Sequence, residues 1–173
     1  DGFQSHAHTE IDLQPGVVAI TGPTNNGKTS ILRALRWALW NVPPEGDQSK
    51  WIRLGCTSVY CEVTLSDDTV IRRERINKRN LYTITLPGQK PTVLDAFGTK
   101  VPDEVLRAHG MFPVRLDPEK PGMLLNFASQ LEAPFFLEAS GPGRSRILGR
   151  LAGVTPIDMA RDDASADLLA AGK

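Results

Sequence analysis

The sequence predicts an α/β fold in which a short buried strand leads through a glycine-rich loop into a helix. Three observations predict this fold: "VVAI" (17–20) is apolar throughout, glycines follow it closely, and a helical pattern begins with "ILRALRWALW" (31–40). A run that is apolar on both faces is typical of a central strand in a sheet covered on both sides. With 173 residues, the chain is long enough to bury a core.

The elements around the loop are predicted from periodicity. "HTEIDL" (8–13) alternates polar and apolar residues like a half-buried strand, and "QPG" (14–16) turns the chain into the strand at 17–20. After the loop, apolar residues repeat at i, i+4, i+7 and i+8, which predicts one face of a helix of about three turns. Prolines and a glycine in "NVPPEGDQ" (41–48) end that helix. The repeated positions are Ile31, Leu35, Ala38 and Leu39.

The remainder of the chain alternates strands and helices. Three strands, at 58–65, 69–76 and 81–86, are expected to form an antiparallel meander. "VPDEVLRAHG" (101–110) has a proline and two acids in its first turn and a closing glycine, so it predicts a short helix. Residues 141–154 begin as a Gly/Pro loop and then become helical.

Composition restricts the classes of function. Twenty basic and twenty acidic residues give a formal net charge of zero, so any DNA contact must come from a local patch. The two cysteines, Cys56 and Cys61, form neither a disulfide framework nor a zinc site, which indicates a reducing, cytoplasmic environment. The sequence shows no membrane span and no signal peptide. We expect both termini to be cuts through a longer protein.

"GPTNNGKT" (22–29), named here the phosphate loop, matches the pattern G-x-x-x-x-G-K-[ST]. Glycines let the backbone N–H groups converge on phosphate oxygens, and the helix that follows points its partly positive end at the same anion. Lys28 is expected to reach the β- and γ-phosphates of ATP, and the Thr29 hydroxyl to bind Mg²⁺. A plain glycine turn is the alternative, but the strand–loop–helix context favours phosphate binding.

The chain lacks the other half of the hydrolytic machinery. A Mg-nucleotide hydrolase also needs an acid at the end of another apolar strand. No run of four apolar residues followed by Asp is present, nor is a Ser-Gly-Gly signature. Asp95, in "TVLDAF" (92–97), is expected to be an ordinary loop acid. The sequence therefore predicts one half of a nucleotide-hydrolysing unit.

Several ordered segments carry a family resemblance. Phe3, the pair Ser5-His6, Gly16 and the phosphate loop fall in order, and "WIRLG" (51–55), the meander, "NFASQLEAPFFL" (126–137) and "RSRILGRLAGV" (144–154) follow. This order resembles the start of SMC-like DNA-repair ATPases, above all the SbcC exonuclease-subunit group. The resemblance implies a P-loop NTPase fold, the lobe of an ABC-type ATPase head with a mixed core sheet and an antiparallel side sheet. Residues 1–156 would form this lobe, and 157–173 the start of a helix toward a coiled coil.

The resemblance also implies which residues form the nucleotide-binding site. Lys28 and Gln130 would be catalytic, Thr29 and Gln130 would hold Mg²⁺, and Ile52, Arg53 and Leu54 would lie near the ribose and adenine. Three departures stand out: Thr24-Asn25-Asn26 replace the family's Asn-Gly-Ser, Gln4 replaces a basic residue, and Leu131 follows Gln130 where a glycine is common. The implied nucleotide contacts are Gln4, Ser5, Gly22, Thr24, Asn25, Asn26, Gly27, Lys28, Thr29, Ser30, Ile52, Arg53 and Leu54.

The partners are likewise implied by the resemblance. They are the carboxy-terminal half of the same head, a second head in a homodimer, a metal-dependent nuclease subunit and DNA, in a cytoplasmic or nucleoid-associated setting. Two other hypotheses stay open: a condensation ATPase of the SMC type without a nuclease, and a small stand-alone P-loop kinase. The full reading frame after Lys173 would distinguish them.

Some residues allow both a functional and a structural interpretation. His6 and His8 would share one face of a strand and could pair on a metal, although a structural, backbone-bonded role is favoured. Trp37 and Trp40 are expected to pack in the core. A basic hairpin could contact the DNA backbone or could be a solvated edge decorated with charge. Its basic residues are Arg72, Arg73, Arg75, Lys78 and Arg79.

Overall fold

The computed structural model describes residues 1–42, 51–77, 79–114, 122–128 and 140–152. These residues belong to two compact units, Asp1–Met111 and Phe112–Lys173. Within the described ranges, the first unit contains one long helix, a four-stranded sheet and a short helix, and the second contains one helix. No helix among the described residues is long and apolar enough to cross a membrane.

The sheet confirms the predicted meander and adds one strand. Strands β1 (Ser58–Thr64), β2 (Val70–Ile76), β3 (Arg79–Thr85) and β4 (Thr92–Leu94) lie side by side in chain order, and every pair is antiparallel. We call this four-stranded sheet the side sheet. Asn77, with φ of 46°, takes the left-handed conformation in the tight turn between β2 and β3.

Helix α1 (Lys28–Trp40) begins directly at the end of the phosphate loop. It ends at Trp40, directly before the predicted stop at 41–48. Asn41 ends it by adopting a left-handed conformation, in which its N–H donates to the Trp37 carbonyl at 3.1 Å. Ser30 in the first turn is buried, and so is every residue of the last turn, from Trp37 to Trp40. The helix therefore packs most of its circumference at the carboxyl end, whereas Ile31 and Leu35 of the predicted stripe are only half-buried.

The core of the first unit includes a cluster of three aromatic residues and one valine, named here the aromatic cluster: Phe3, Trp37, Trp51 and Val59. The ring centroids of Phe3 and Trp37 are 5.8 Å apart, and those of Trp37 and Trp51 are 6.0 Å apart. Both distances lie in the range of favourable aromatic contacts. The structure confirms that Trp37 packs in the core, and Trp40 is also buried. The cluster fixes the amino-terminal segment and the segment around Trp51 onto α1.

The two strands predicted before the phosphate loop are wrong for the described residues. Residues 9–14 and 17–22 form no strand, and Val17 and Val18 are 102% and 47% exposed. A strand needs backbone partners, and no described segment pairs with residues 17–20. The predicted parallel core sheet is accordingly not formed within the described part of the chain. An apolar run in the sequence indicates that a segment will be buried, but it does not indicate which other part of the protein covers it.

One of the two shorter helices has the predicted boundaries, whereas the other begins earlier than predicted. Helix α2 (Asp103–His109) follows Pro102 and ends at Gly110, with φ of 70°, as predicted. Helix α3 (Gly141–Leu151) begins at Gly141, where a loop was predicted. The Gly143 N–H donates to Ser140 Oγ at 3.3 Å, so a serine starts the helix and the Gly/Pro residues form its first turn. The predicted exit helix, 157–173, lies outside the described residues.

Candidate phosphate-binding site

The phosphate loop adopts backbone conformations that most residues avoid. Gly22, Asn25 and Gly27 have φ of 143°, 65° and 81°. Asparagine tolerates the left-handed region better than most non-glycine residues, which explains how Asn25 can stand where the resembling family has glycine. Residues 21–26 are exposed, so the loop is open to a ligand.

The amino-terminal end of α1 is electrostatically suited to an anion. Its first turn contains no acidic residue, and the N-cap position, Gly27, makes no side-chain capping hydrogen bond among the described residues. The partial positive charge of the helix end is therefore not neutralised within the helix. A phosphate at this position would receive hydrogen bonds from the open N–H groups of the first turn.

Lys28 reaches back across the phosphate loop. Its Nζ donates to the carbonyl oxygens of Gly22 at 2.8 Å and Pro23 at 2.6 Å. An ammonium group has three donors, so one remains for a phosphate oxygen. The lysine therefore places a positive charge at the loop whose backbone would hold the anion.

A tight amino-terminal turn (residues 3–6) closes over the end of the loop. Phe3 and His6 exchange two backbone hydrogen bonds, of 3.0 and 2.8 Å, and Gln4 at its tip has φ of 48°. A Cβ added to Gly27 would lie 2.3 Å from Ser5 Oγ, which shows how closely the turn packs against the loop. The structure thus brings the predicted residue Ser5 next to Gly27.

The segment at 51–53 holds the amino-terminal turn from the other side. The Gln4 N–H donates to the Trp51 carbonyl at 2.7 Å, and Arg53 Nη1 donates to the Ser5 carbonyl at 2.5 Å. Arg53 therefore lies beside the turn that contacts the loop. Ile52 instead packs against the aromatic cluster, and Leu54 is 101% exposed.

Gln4 contributes a polar group without a partner. Its Oε1 is buried and receives no hydrogen bond from the described residues. A buried amide oxygen that is left unpaired is unfavourable. Since an amide can present either its oxygen or its nitrogen in this position, a bound ligand could satisfy it as donor or acceptor.

His6 is the site residue whose partner the sequence did not predict. Its Nε2 lies 2.9 Å from the Gly27 carbonyl oxygen, and its Nδ1 lies 2.7 Å from Thr9 Oγ1. The backbone-bonded role favoured for the histidines is confirmed for His6. His8 points elsewhere and pairs with Asp1 at 2.9 Å. In the sequence, the contact between His6 and Gly27 was indicated by the Ser5-His6 pair alone.

The described residues offer few ligands for a metal. No group of three or more His, Cys, Asp and Glu side chains comes together in the described ranges. Thr29, at the start of α1, is half-buried and remains the one expected Mg²⁺ ligand there. The other, Gln130, lies outside the described residues. The arrangement therefore fits phosphate binding with one hydroxyl for a metal.

The basic hairpin is not one DNA-facing patch, because Arg73 is a core residue. It is 3% exposed, and its Nε and Nη2 donate to Asn41 Oδ1 at 3.2 and 3.1 Å. Its guanidinium carbon lies 4.8, 4.9 and 4.8 Å from the ring centroids of Trp37, Tyr82 and Phe97. Burial lowers the pKa of Arg73 to about 10, so it stays charged at neutral pH.

Two other charges of the hairpin are paired with acids. Arg72 Nη2 lies 2.9 Å from Glu74 Oε1, and the guanidinium stacks over the Tyr60 ring at 3.6 Å. Arg79 Nη2 lies 3.5 Å from Asp95 Oδ2, which confirms Asp95 as a loop acid. Successive residues of a strand face opposite sides, so the run of charge divides between both faces. Lys78 lies outside the described residues.

Comparison with known protein families shows which family contains this chain. The model of the AAA domain matches residues 1–104, which include the phosphate loop, α1 and the side sheet. The chain belongs to the AAA domain family. At the level of the family, this membership identifies the chain as a P-loop NTPase with nucleotide use and ATPase activity.

Two curated relatives are similar to part of this chain. The DNA double-strand break repair Rad50 ATPase of Methanocaldococcus jannaschii is 35% identical over 63 residues, which cover 36% of this chain and 6% of the relative. The chromosome partition protein Smc of Lactiplantibacillus plantarum is 49% identical over 39 residues, 22% of this chain and 3% of the relative. The chain spans a small part of either relative. These matches confirm the resemblance to the amino-terminal region of SMC-like ATPases.

Proposed function

We propose that this chain is the ATP-binding half of an SMC-like ATPase head that acts in DNA double-strand break repair. A carboxy-terminal half completes the head, and two heads close on ATP as a homodimer. ATP binding closes the dimer and hydrolysis opens it, and this cycle controls a nuclease partner on DNA. Thr29 and Gln130 would hold Mg²⁺.

The observation that carries ATP binding is the phosphate loop at the end of α1. Positive φ at Gly22, Asn25 and Gly27, an uncapped helix end without acids, and the Lys28 ammonium meet at one place. Each of these features favours an anion, and together they suit the polyphosphate of a nucleotide. The match to the AAA domain family supports the same conclusion.

The observation that supports a split head is the uncovered apolar segment before the loop. Val17, Val18 and Ile20 are 102%, 47% and 37% exposed, although they form the most apolar run near the site. Clustered exposed apolar residues mark a surface that another element covers. A carboxy-terminal half that supplies neighbouring strands would bury this segment and contribute the missing acid.

A second function is favoured by the Smc relative, whose name describes chromosome partition. In that case the same head would drive chromosome organisation without a nuclease. Both functions use the same phosphate site, so they differ in partners and not in the residues described above. A nuclease that co-purifies with the full-length protein would select the repair function.

The first test measures nucleotide affinity. Lys28→Ala should abolish calorimetrically detectable Mg-ATP binding while the thermal unfolding temperature stays near the original value, because the Nζ hydrogen bonds in the described residues go to two exposed loop carbonyls. Lys90→Ala is the matched control, since Lys90 is an exposed lysine in the turn after β3. Equal ATP affinity in the Lys28→Ala chain would refute the phosphate assignment.

The second test measures turnover by the chain alone and after addition of its carboxy-terminal half. Hydrolysis needs an ordered water and stabilisation of the transferred group, and each missing contact lowers the rate by about a hundredfold or more. The chain alone should therefore release phosphate at close to the uncatalysed rate, and mixing should restore turnover. In the restored head, Gln130→Ala should bind ATP but hydrolyse it more slowly. Sustained turnover by the chain alone would instead favour a kinase-like enzyme.

A further inference from the structure

We propose that His6 is a positioning residue that orients the phosphate loop for the nucleotide. The inference rests on the proposed ATP site but concerns a residue that neither the loop pattern nor the family match assigns. It starts from a single contact: the His6 imidazole bonds the carbonyl oxygen of Gly27, the last residue before α1.

The Gly27 carbonyl oxygen accepts two hydrogen bonds. One comes from the Ser30 N–H at 2.9 Å, and the other from His6 Nε2 at 2.9 Å. Because a carbonyl oxygen only accepts, His6 must carry its hydrogen on Nε2. Two donors on one oxygen restrict rotation of the peptide plane that joins Gly27 to Lys28.

That peptide plane determines where the Lys28 N–H points. The bond is trans, since the described chain contains no cis peptide, and in a trans peptide the N–H points opposite to the C=O. With the Gly27 carbonyl held toward the helix by Ser30 and His6, the Lys28 N–H is directed out of the helix end. This is the direction from which a phosphate is bound.

The other side of the imidazole is anchored as well. His6 Nδ1 lies 2.7 Å from Thr9 Oγ1, and that hydroxyl also lies 2.8 Å from the His8 carbonyl oxygen. The Thr9 hydroxyl therefore holds the Nδ1 side of the ring while Nε2 donates to the Gly27 carbonyl oxygen. The contact to Gly27 is therefore maintained by a hydrogen bond on each side of the ring.

The ring also fills space beside the loop. A Cβ added to Gly27 would lie 2.6 Å from His6 Nε2. Real Cβ atoms almost never come that close, so a side chain at residue 27 would displace the imidazole from its place beside the carbonyl. The position of the His6 ring therefore depends on the glycine of the loop pattern, Gly27.

The test compares His6→Leu, His6→Gln and His8→Leu in the whole 173-residue chain. Leucine removes the donor, glutamine keeps an N–H donor, and His8 is the matched control because its ring pairs with Asp1 and not with the loop. Two quantities are measured: hydrogen exchange of the first turn of α1 without ligand, and Mg-ATP affinity by calorimetry. His6→Leu should speed exchange and weaken affinity about tenfold, as expected for one lost positioning hydrogen bond. His6→Gln should recover most of both, and His8→Leu should change neither.

The outcomes separate this inference from the proposed function. If exchange in His6→Leu equals that of the original chain, or if His8→Leu accelerates it equally, His6 does not position the loop. Faster exchange only in His6→Leu, in a chain that binds no ATP at all, would keep the positioning role and overturn the ATP site. Restored loop protection but unrestored affinity in His6→Gln would also count against the inference.

Discussion

Gly27 meets a conformational and a steric demand at the same time. Its φ of 81° lies in the left-handed region, and a Cβ would approach Ser5 Oγ to 2.3 Å and His6 Nε2 to 2.6 Å. Gly55 has a similar φ of 87° but open space around it. The two glycines therefore separate the effect of the backbone conformation from the effect of the contact with the amino-terminal turn.

Gly27→Ala should weaken Mg-ATP binding at least tenfold and destabilise the chain by about 2–3 kcal/mol, because the methyl group displaces the Ser5 and His6 side chains and adds to the strain of the left-handed φ. Gly55→Ala should lower stability by about 1 kcal/mol, the effect of the left-handed conformation alone, and leave affinity unchanged. Chemical denaturation and calorimetry measure both quantities. Equal effects of the two substitutions would show that the close contact at Gly27 has no energetic importance.

Arg72 and Arg73 show how adjacent residues of one charge differ in role. Arg73 is buried among three aromatic rings and bonded to Asn41, whereas Arg72 is paired on the opposite face with Glu74. Alternation along a strand is predictable from sequence. Which face is covered by α1 is not, because the charges of the hairpin look alike in the sequence.

Arg73→Met should destabilise the chain by about 2–4 kcal/mol, because the buried oxygen of Asn41 and the half-buried oxygen of Asn80 lose their donor. Arg72→Met is the adjacent control and should change stability by no more than about 1 kcal/mol, since its ion pairs are partly solvated. Urea denaturation measures both free energies of unfolding. An Arg73→Met chain as stable as the Arg72→Met chain would contradict the role of Arg73 in the core.

At the scale of elements, α2 is attached to the end of α1 through His109. Its Nε2 lies 2.9 Å from the Leu39 carbonyl oxygen, and its Nδ1 accepts the Met111 N–H at 3.0 Å. Trp40 completes the contact, with its Nε1 donating to the Met111 carbonyl at 3.0 Å. One ring nitrogen must donate and the other must accept, so this contact requires the neutral imidazole.

The stability of this helix contact should depend on pH. Burial lowers the pKa of His109 in the folded chain below its unfolded value of about 6.5. The unfolded chain then binds more protons, so the contribution of His109 is complete above about pH 6.5 and is lost as pH falls through the folded-state pKa. Free energies of unfolding at pH 7.5 and 5.5 should show a smaller decrease for His109→Gln than for the original chain. An equal decrease would assign the pH dependence to other groups.

Elements with complete local signals were predicted well. The meander follows from alternation and turn residues, and α2 from Pro102 and Gly110 at its ends. The start of α3 was misplaced because Gly141 and Pro142 resemble a loop, whereas a serine cap allows them to form a first turn. Local composition cannot decide between these two conformations without the cap contact.

At the scale of the molecule, the exposed segment before the phosphate loop would form the interface with a carboxy-terminal half in the proposed split head. Val18→Asp should leave the stability of the isolated chain within about 0.5 kcal/mol, since Val18 is already 47% exposed. It should nevertheless prevent association with the carboxy-terminal half, measured by co-purification. Val93→Asp, at a 59% exposed position on β4, is the control and should associate normally. If both variants associate normally, another surface joins the halves.

The sequence by itself determined the phosphate loop, the helix that follows it and the side sheet, because glycine spacing and periodicity are local properties. The tertiary structure decided what those elements contact. It placed His6 on the Gly27 carbonyl and Arg73 in the core, and it left residues 17–20 unpaired. Such contacts join residues far apart in the chain, as from His6 to Gly27 or from Asn41 to Arg73. A pattern of neighbouring residues records that a side chain will be buried or bonded, but only the folded backbone selects its partner.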